Sequence, residues 1–174
     1  MSPEARTEII QILEKTRQEF NNAVRDCAES QAKAHPEEGR WSVLDCMEHV
    51  TSVEERFLGR LEQAQRLETP RVDKEKEADI LARVASRVNK VQAPEPVRPV
   101  GRFASLAQAL EQFNTARART MQFAEQRGND LYLLSADHPR FGTMNGSEWM
   151  MVIAAHGRRH AEQIREVRAA LAKA

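Results

Sequence analysis

The chain has 174 residues, with 26 lysines and arginines balanced by 26 aspartates and glutamates. That neutrality excludes a general nucleic-acid binder, which needs a basic surplus to displace counterions, and no apolar run approaches the length that spans a bilayer. The length suits one domain, 1–174, able to bury a core unaided, and its dominant residues are helix formers.

A 3.6-residue apolar period recurs four times, and no window alternates with period two for long enough to suggest a strand. Helix one opens at "SPEA", with Ser2 as N-cap and Pro3 in the first helical position. Its seam runs Ile9, Leu13, Thr16, Phe20, Ala23 or Val24, and Cys27, and it stops before "HPEEG". Helix two begins at "WSVLD", where Ser42 and Asp45 suit a capping box. Its stripe is Val43, Met47, Val50, Phe57 and Leu61, and it is expected to reach about Leu67.

A long connection follows, from Pro70 to Arg102. It holds a polar run with some helical period (Ile80, Val84, Val88) and then "APEPVRPVG", whose Pro94, Pro96 and Pro99 make it extended or looped. Such a length can return the chain along the bundle, so helices two and three need not be antiparallel. Ser105 and Gln108 open helix three as a capping box. Its stripe includes Leu106, Leu110, Phe113, Ala116 or Arg117, Thr120 and Phe123, and Gly128-Asn129 ends it. After the loop "SADHPRFGTMNG", Asn145 caps helix four, with Glu148 three residues on. Its stripe is Trp149, Ile153, His156, His160, Ile164, Val167 and Leu171. The expected fold is all-α: a four-helix bundle with a long connection between helices two and three.

His156 and His160, four apart, put two imidazoles on one helix face. Together they can chelate one metal ion, and imidazole suits zinc, nickel, iron and copper. A mononuclear site needs a further ligand from another helix, for which His49 is the candidate. A hydrogen-bonded pair is the competing reading of the two, and spacing alone does not bring His49 to them. An unpaired polar group on a buried stripe costs about 1–3 kcal/mol, so these rings need partners of some kind.

Two stretches carry a family resemblance. Helix two has "WSVLDCMEHV", with a histidine seven residues after the serine. The C-terminal third has "HPRFGTMNGSEWMMVIAAHGRRHAEQI", with an HPxxG loop and then H-x-x-x-H followed by glutamine-isoleucine. Together, and across the whole chain, they resemble the DinB/YfiT-like superfamily of metalloenzymes. The resemblance implies a bundle whose second and third helices run parallel. It also implies a divalent metal held by His49, His156 and His160; with imidazole ligands, zinc or nickel is expected ahead of iron or manganese. It further implies a homodimer acting on a small-molecule substrate or a low-molecular-weight thiol such as bacillithiol, mycothiol or glutathione.

Three ligands leave a position for water or substrate, as in catalytic zinc sites. The metal would then ionise a water or a thiol for attack on an electrophile, giving hydrolase-like or thiol S-transferase-like chemistry. No separate general base stands out, and no residue beyond the ligands is assigned a catalytic role. The alternative is a non-catalytic bundle in which the metal only ties helices two and four together as a stress or interaction protein. Cys46, three residues before His49, would close the site as a fourth ligand but reads as a small core residue, as does Cys27. Arg158 and Arg159 lie between the helix-four histidines and read as a solvated face, with an anionic substrate group as the functional option. Glu48 and Glu162 could accept from imidazole N–H groups but are expected to face solvent. Trp41 and Trp149 read as helix-end packing, His138 as a loop hydrogen-bonder and His35 as surface. Val152 beside Ile153 gives helix four a second apolar face compatible with a dimer. Two cysteines make no disulfide framework, and the acidic opening "MSPEARTEII" is no export signal, so a reducing cytoplasm is expected.

Overall fold

The computed structural model describes residues 3–88 and 92–173. Ser2, the expected first cap, and 89–91 at the end of the polar run lie outside the described residues. In chain order the helices are α1 (Pro3–Val24), α2 (Glu29–Lys33), α3 (Val43–Glu62), α4 (Lys74–Ala85), α5 (Leu106–Arg127) and α6 (Gly146–Leu171). The strands are β1 (Gln65–Arg66), β2 (Leu134–His138) and β3 (Gly142–Met144). The four long helices α1, α3, α5 and α6 form a four-helix bundle.

The caps follow local chemistry. Ser42 Oγ accepts the Asp45 N–H while the Asp45 carboxylate accepts the Ser42 N–H. Asn145 and Glu148 make the same reciprocal pair at the start of α6. At α5 the box is only half formed. Ser105 Oγ accepts the Gln108 N–H, but Gln108 Oε1 reaches back one residue further, to the Ala104 N–H.

Contacts at both ends fix the helix directions. Val43 and Met47, at the start of α3, share a cluster with Phe103 and Ala109 at the start of α5. Beyond the other ends, Gln65 pairs with Ser135. Thus α3 and α5 run parallel. Glu19 binds Arg158, and the Ala23 carbonyl binds Arg168, so α1 and α6 are parallel too. The expected parallel second and third long helices are present, joined by the long connection.

The expected all-α bundle stands, with a small three-stranded sheet added where no strand was expected. Helix α3 stops at Glu62 rather than near Leu67, because Gln65 and Arg66 pair antiparallel with Ser135 and Leu134. The expected loop before α6 is a hairpin, with His138 opposite Gly142 and Ala136 opposite Met144. The connection contributes α4, which ends at Ala85, so Val88 falls outside it and is exposed. Helix α4 packs along α6, placing Ile80 with Met151, Val152 and Ile153 in one buried cluster. The second apolar face of α6 is therefore covered within the chain.

The core is split. One apolar cluster gathers Leu13, Leu58, Leu61, Trp149 and Ile153, and the other Phe20, Val43, Met47, Phe113 and Ile164. Between them lies a buried polar belt: Thr16 on α1, His49, Thr51 and Glu54 on α3, Arg117 and Thr120 on α5, and His160 on α6. Within it Arg117 binds both oxygens of Glu54, at 2.7 and 2.9 Å, as well as the Leu13 carbonyl and Thr16 Oγ1. Neither partner of that ion pair reaches solvent appreciably. The belt is where the long helices carry polar residues on their inner faces, and it positions the histidines.

Candidate metal centre

Helix α3 carries His49 on its buried side, about two turns after the capping box. Helix α6 presents His156 and His160, one turn apart, from the opposite side. The three rings meet. His156 Nε2 lies 3.2 Å from His49 Nε2 and 3.2 Å from His160 Nε2. One ligand nitrogen from each ring lies within 4.8 Å of the other two. His49 and His160 are buried, while His156 is half-buried.

Hydrogen bonding orients the His49 ring. Its Nδ1 stands 2.7 Å from the Val97 carbonyl. A carbonyl only accepts, so Nδ1 carries the proton and the Nε2 lone pair faces the other histidines. His156 Nε2 stands between two other Nε2 atoms, and a single proton there can satisfy only one of the two contacts. Three imidazole nitrogens converging in this way suit a cation. Tetrahedral Zn–N bonds of about 2.0–2.1 Å would set ligand nitrogens roughly 3.3–3.4 Å apart, close to the two separations of 3.2 Å. The donor set therefore fits a divalent transition metal.

All three rings are held below the ordinary imidazole range. Burial is the main cause for each, opposed at His49 by its bond to Val97. At His156 the neighbouring His160 and His49 add to burial, followed by Arg159 and Arg117. At His160 burial is followed by His49 and Arg159, while the Gln163 side chain opposes them. His160 Nδ1 is buried without a hydrogen bond of proper geometry. Neutral imidazole is the form that binds metal.

The structure relocates several residues. Trp41 was expected to do helix-end packing, yet its half-buried indole lines the centre. It lies 4.9 Å from the His49 ring and 6.2 Å from that of His160, nearly parallel to the latter. Glu48 does not face solvent. It is 4 % exposed and binds the backbone at 100–102. The Val97 carbonyl left no side-chain signal, although Pro94, Pro96 and Pro99 mark a stretch kept out of regular helix.

The other singled-out residues divide: Cys46, Glu162 and His35 lie as expected, whereas Cys27 falls beyond α1 and His138 ends β2 rather than sitting in a loop. Cys46 is a fully buried core residue, and the histidine cluster does not include it. Burial pushes its thiol well up, out of the reactive range. Cys27 lies beyond the end of α1, half-buried at the edge of the core rather than within the seam. Arg158 pairs with Glu19, and the Arg159 guanidinium donates to the Ser86 carbonyl. Glu162 is exposed beside Arg165, and His35 is exposed. Trp149 is buried, donating to the Ala136 carbonyl. His138 accepts the Arg140 N–H and meets Phe57 and Trp149 edge-on and Phe141 at a tilt. Among the described residues, no helix is long and apolar enough to cross a membrane.

The family model described as the DinB superfamily matches residues 12–164. An uncharacterised protein of Bacillus subtilis, YuaE, is 24% identical over 168 residues, spanning 94% of this chain and 99% of its own. The four-helix bundle protein TT2238 superposes with a TM-score of 0.61 at 21% identity, covering 92% of this chain and 98% of its own. YfiT from Bacillus subtilis superposes with a TM-score of 0.59 at 16% identity, covering 99% of this chain and 90% of its own. It is described as a probable metal-dependent hydrolase with an unusual four-helix bundle topology. At these identities the two structures establish the shared fold.

Proposed function

The chain belongs to the DinB superfamily, and from its histidine cluster we propose that it is a metal-dependent enzyme whose divalent ion is held by His49, His156 and His160. The convergence of three Nε2-bearing rings, at 3.2 Å on two sides, carries this reading. A divalent ion held by these three residues would supply Lewis acidity, lowering the pKa of a water or a thiol beside it. The protein's own groups prepare that position. The Val97 carbonyl fixes the His49 tautomer, burial keeps the imidazoles neutral, and the Trp41 indole shields the His49 and His160 rings from water. Cys46 lies outside the histidine cluster and His156 is only half-buried, which favours a fourth position within reach of a small molecule.

The substrate would be a small electrophile able to take a water or a thiol. The description of YfiT favours the hydrolytic branch. Transfer of a low-molecular-weight thiol is the other outcome of the same nucleophile-generating chemistry.

Metal analysis of the purified chain, alongside His160→Ala, tests the centre. One divalent ion per chain in the native protein and little in the variant is expected, and equally low content in both would overturn the reading. Activated esters, and thiols paired with an epoxide or chloroaromatic, then test the chemistry. Turnover that stops on adding chelator is expected. Metal retained without any chelator-sensitive turnover would assign the centre to clamping α3 against α6.

A further inference from the structure

Glu48 precedes His49 on α3 and is 4 % exposed, yet among the described residues no cationic side chain hydrogen-bonds to it. Its carboxylate accepts three consecutive backbone N–H groups instead. Val100 donates to Oε1 at 2.7 Å, and Gly101 and Arg102 donate to Oε2 at 3.0 and 2.9 Å. Successive amides curled around one anion form a nest. The curl requires Gly101, whose φ of +82° lies in the left-handed region that side chains disfavour. Helix α3 thus supplies the anion, and the connection folds over it.

The same loop makes a second contact with the next residue of α3. Three residues before the nest, the Val97 carbonyl accepts the His49 Nδ1–H at 2.7 Å. Two neighbouring residues, Glu48 and His49, therefore grip one short loop at two points. The segment between the grips is stiff. Pro99 fixes one φ, and Arg98 is tied to Glu95 through its backbone N–H and to the Ala93 carbonyl through its side chain. Displacement of residues 100–102 would carry the Val97 carbonyl with it.

We propose that Glu48 is a positioning residue for the metal centre. By anchoring the 97–102 loop it holds the Val97 carbonyl against His49, and so keeps the proton on Nδ1 and the Nε2 lone pair aimed at His156 and His160. The inference rests on the three-histidine reading above only for its effect on metal binding. Its effect on the His49 ring stands without a metal.

Glu48→Gln tests it with almost no change in shape. The amide retains one acceptor oxygen, but its NH2 opposes at least one of the three backbone donors. A long-range ¹H–¹⁵N spectrum of metal-free protein reads which His49 nitrogen carries the proton. We expect Nδ1–H in the native protein and a mixture of tautomers in the variant. Zinc titration should show affinity about 10–100-fold weaker in the variant, the range for lost outer hydrogen-bond partners of ligating histidines. Asp73→Ala, which removes the N-cap of α4, controls for general destabilisation and should leave zinc affinity and tautomer unchanged.

The proposal is overturned if native His49 carries its proton on Nε2, a measurement that needs no variant to fold. It is also overturned if Glu48→Gln keeps the native tautomer and affinity, or if Asp73→Ala weakens zinc binding equally. Should native protein take up no zinc while Glu48→Gln still shifts the tautomer, the metal reading fails and the positioning of His49 is supported.

Discussion

The guanidinium of Arg117 lies against the backbone of Gly157: a methyl group at that glycine would sit 3.2 Å from Arg117 Nη2. Glycine in a helix interior usually costs about 1 kcal/mol relative to alanine, so Gly157→Ala would ordinarily stabilise. Here Arg117 cannot yield, because Glu54, Leu13 and Thr16 hold its guanidinium. Overpacking costs about 1–3 kcal/mol. Gly157→Ala should therefore lower the unfolding free energy by about 1 kcal/mol net after its propensity gain, read as a lower urea midpoint. A raised midpoint would show that the polar belt is looser than its hydrogen bonds suggest.

The Arg117–Glu54 pair itself should be costly to break from one side. Removing one partner of a buried pair typically costs about 3–5 kcal/mol, because the other charge is left without compensation. Glu54→Leu and Arg117→Met should each destabilise by that order in equilibrium unfolding. The double variant should lose less than the sum of the two, and additive losses would mean that each residue acts through separate contacts.

The long helices and their caps were legible because the signals are local. Ser42 with Asp45, and Asn145 with Glu148, lie three residues apart, and each pair closes as the spacing implies. The histidines were legible for a similar reason: His156 and His160 share one helix face. The meeting of His49 with them needed the bundle order, which the family resemblance supplied. What was hidden depends on chain segments far apart in sequence. Gln65–Arg66 is a strand only because residues 134–135 come alongside, and two residues leave no period. Glu48 looked like a solvated carboxylate because its partners are backbone amides about fifty residues away, which carry no side-chain signature. Trp41 was assigned to the end of its helix, although the packing of α6 brings the His160 ring against it. Arg117 shared an ambiguous stripe position with Ala116, and composition could not reveal that both are buried.

His138 gives the fold a pH dependence of its own. Burial first, then the nearby Arg60 and Arg140, pull its pKa down from 6.5 to about 4. The folded state therefore holds the ring neutral where an unfolded chain would protonate it. The contribution of this ring to stability is full above pH 6.5, falls as the pH drops from there towards 4, and is constant below. The loss attributable to this ring is on the order of 3 kcal/mol. The site histidines act in the same direction, so the informative comparison is His138→Gln against native protein, both metal-free. The variant should show a shallower fall in unfolding free energy across that window, and parallel curves would mean that His138 is not the source.

Cys46 separates a sealed centre from an open one. Its thiol is fully buried, and burial pushes its pKa up, so a water-soluble disulfide reagent should label it only after unfolding. Cys27 is partly accessible and should be labelled in the native state. Cys46→Ala should lower stability modestly yet leave metal content as in native protein. Loss of metal from that variant would mean that the thiol swings in as a fourth ligand, against its place in the core.

Trp41 provides an optical reading of the centre. Its indole packs on two of the three rings, whereas Trp149 is buried among Phe57 and His138. Helix α6 rises about 1.5 Å per residue, which places Trp149 roughly 10 Å along the axis from His156. A quenching ion such as nickel or cobalt held by the histidines should therefore suppress Trp41 emission far more than that of Trp149. Titration of native protein should show saturable quenching at one equivalent, and Trp41→Phe should remove most of it. Quenching of equal depth in Trp41→Phe would place the bound ion elsewhere, nearer to Trp149 than to the three histidines.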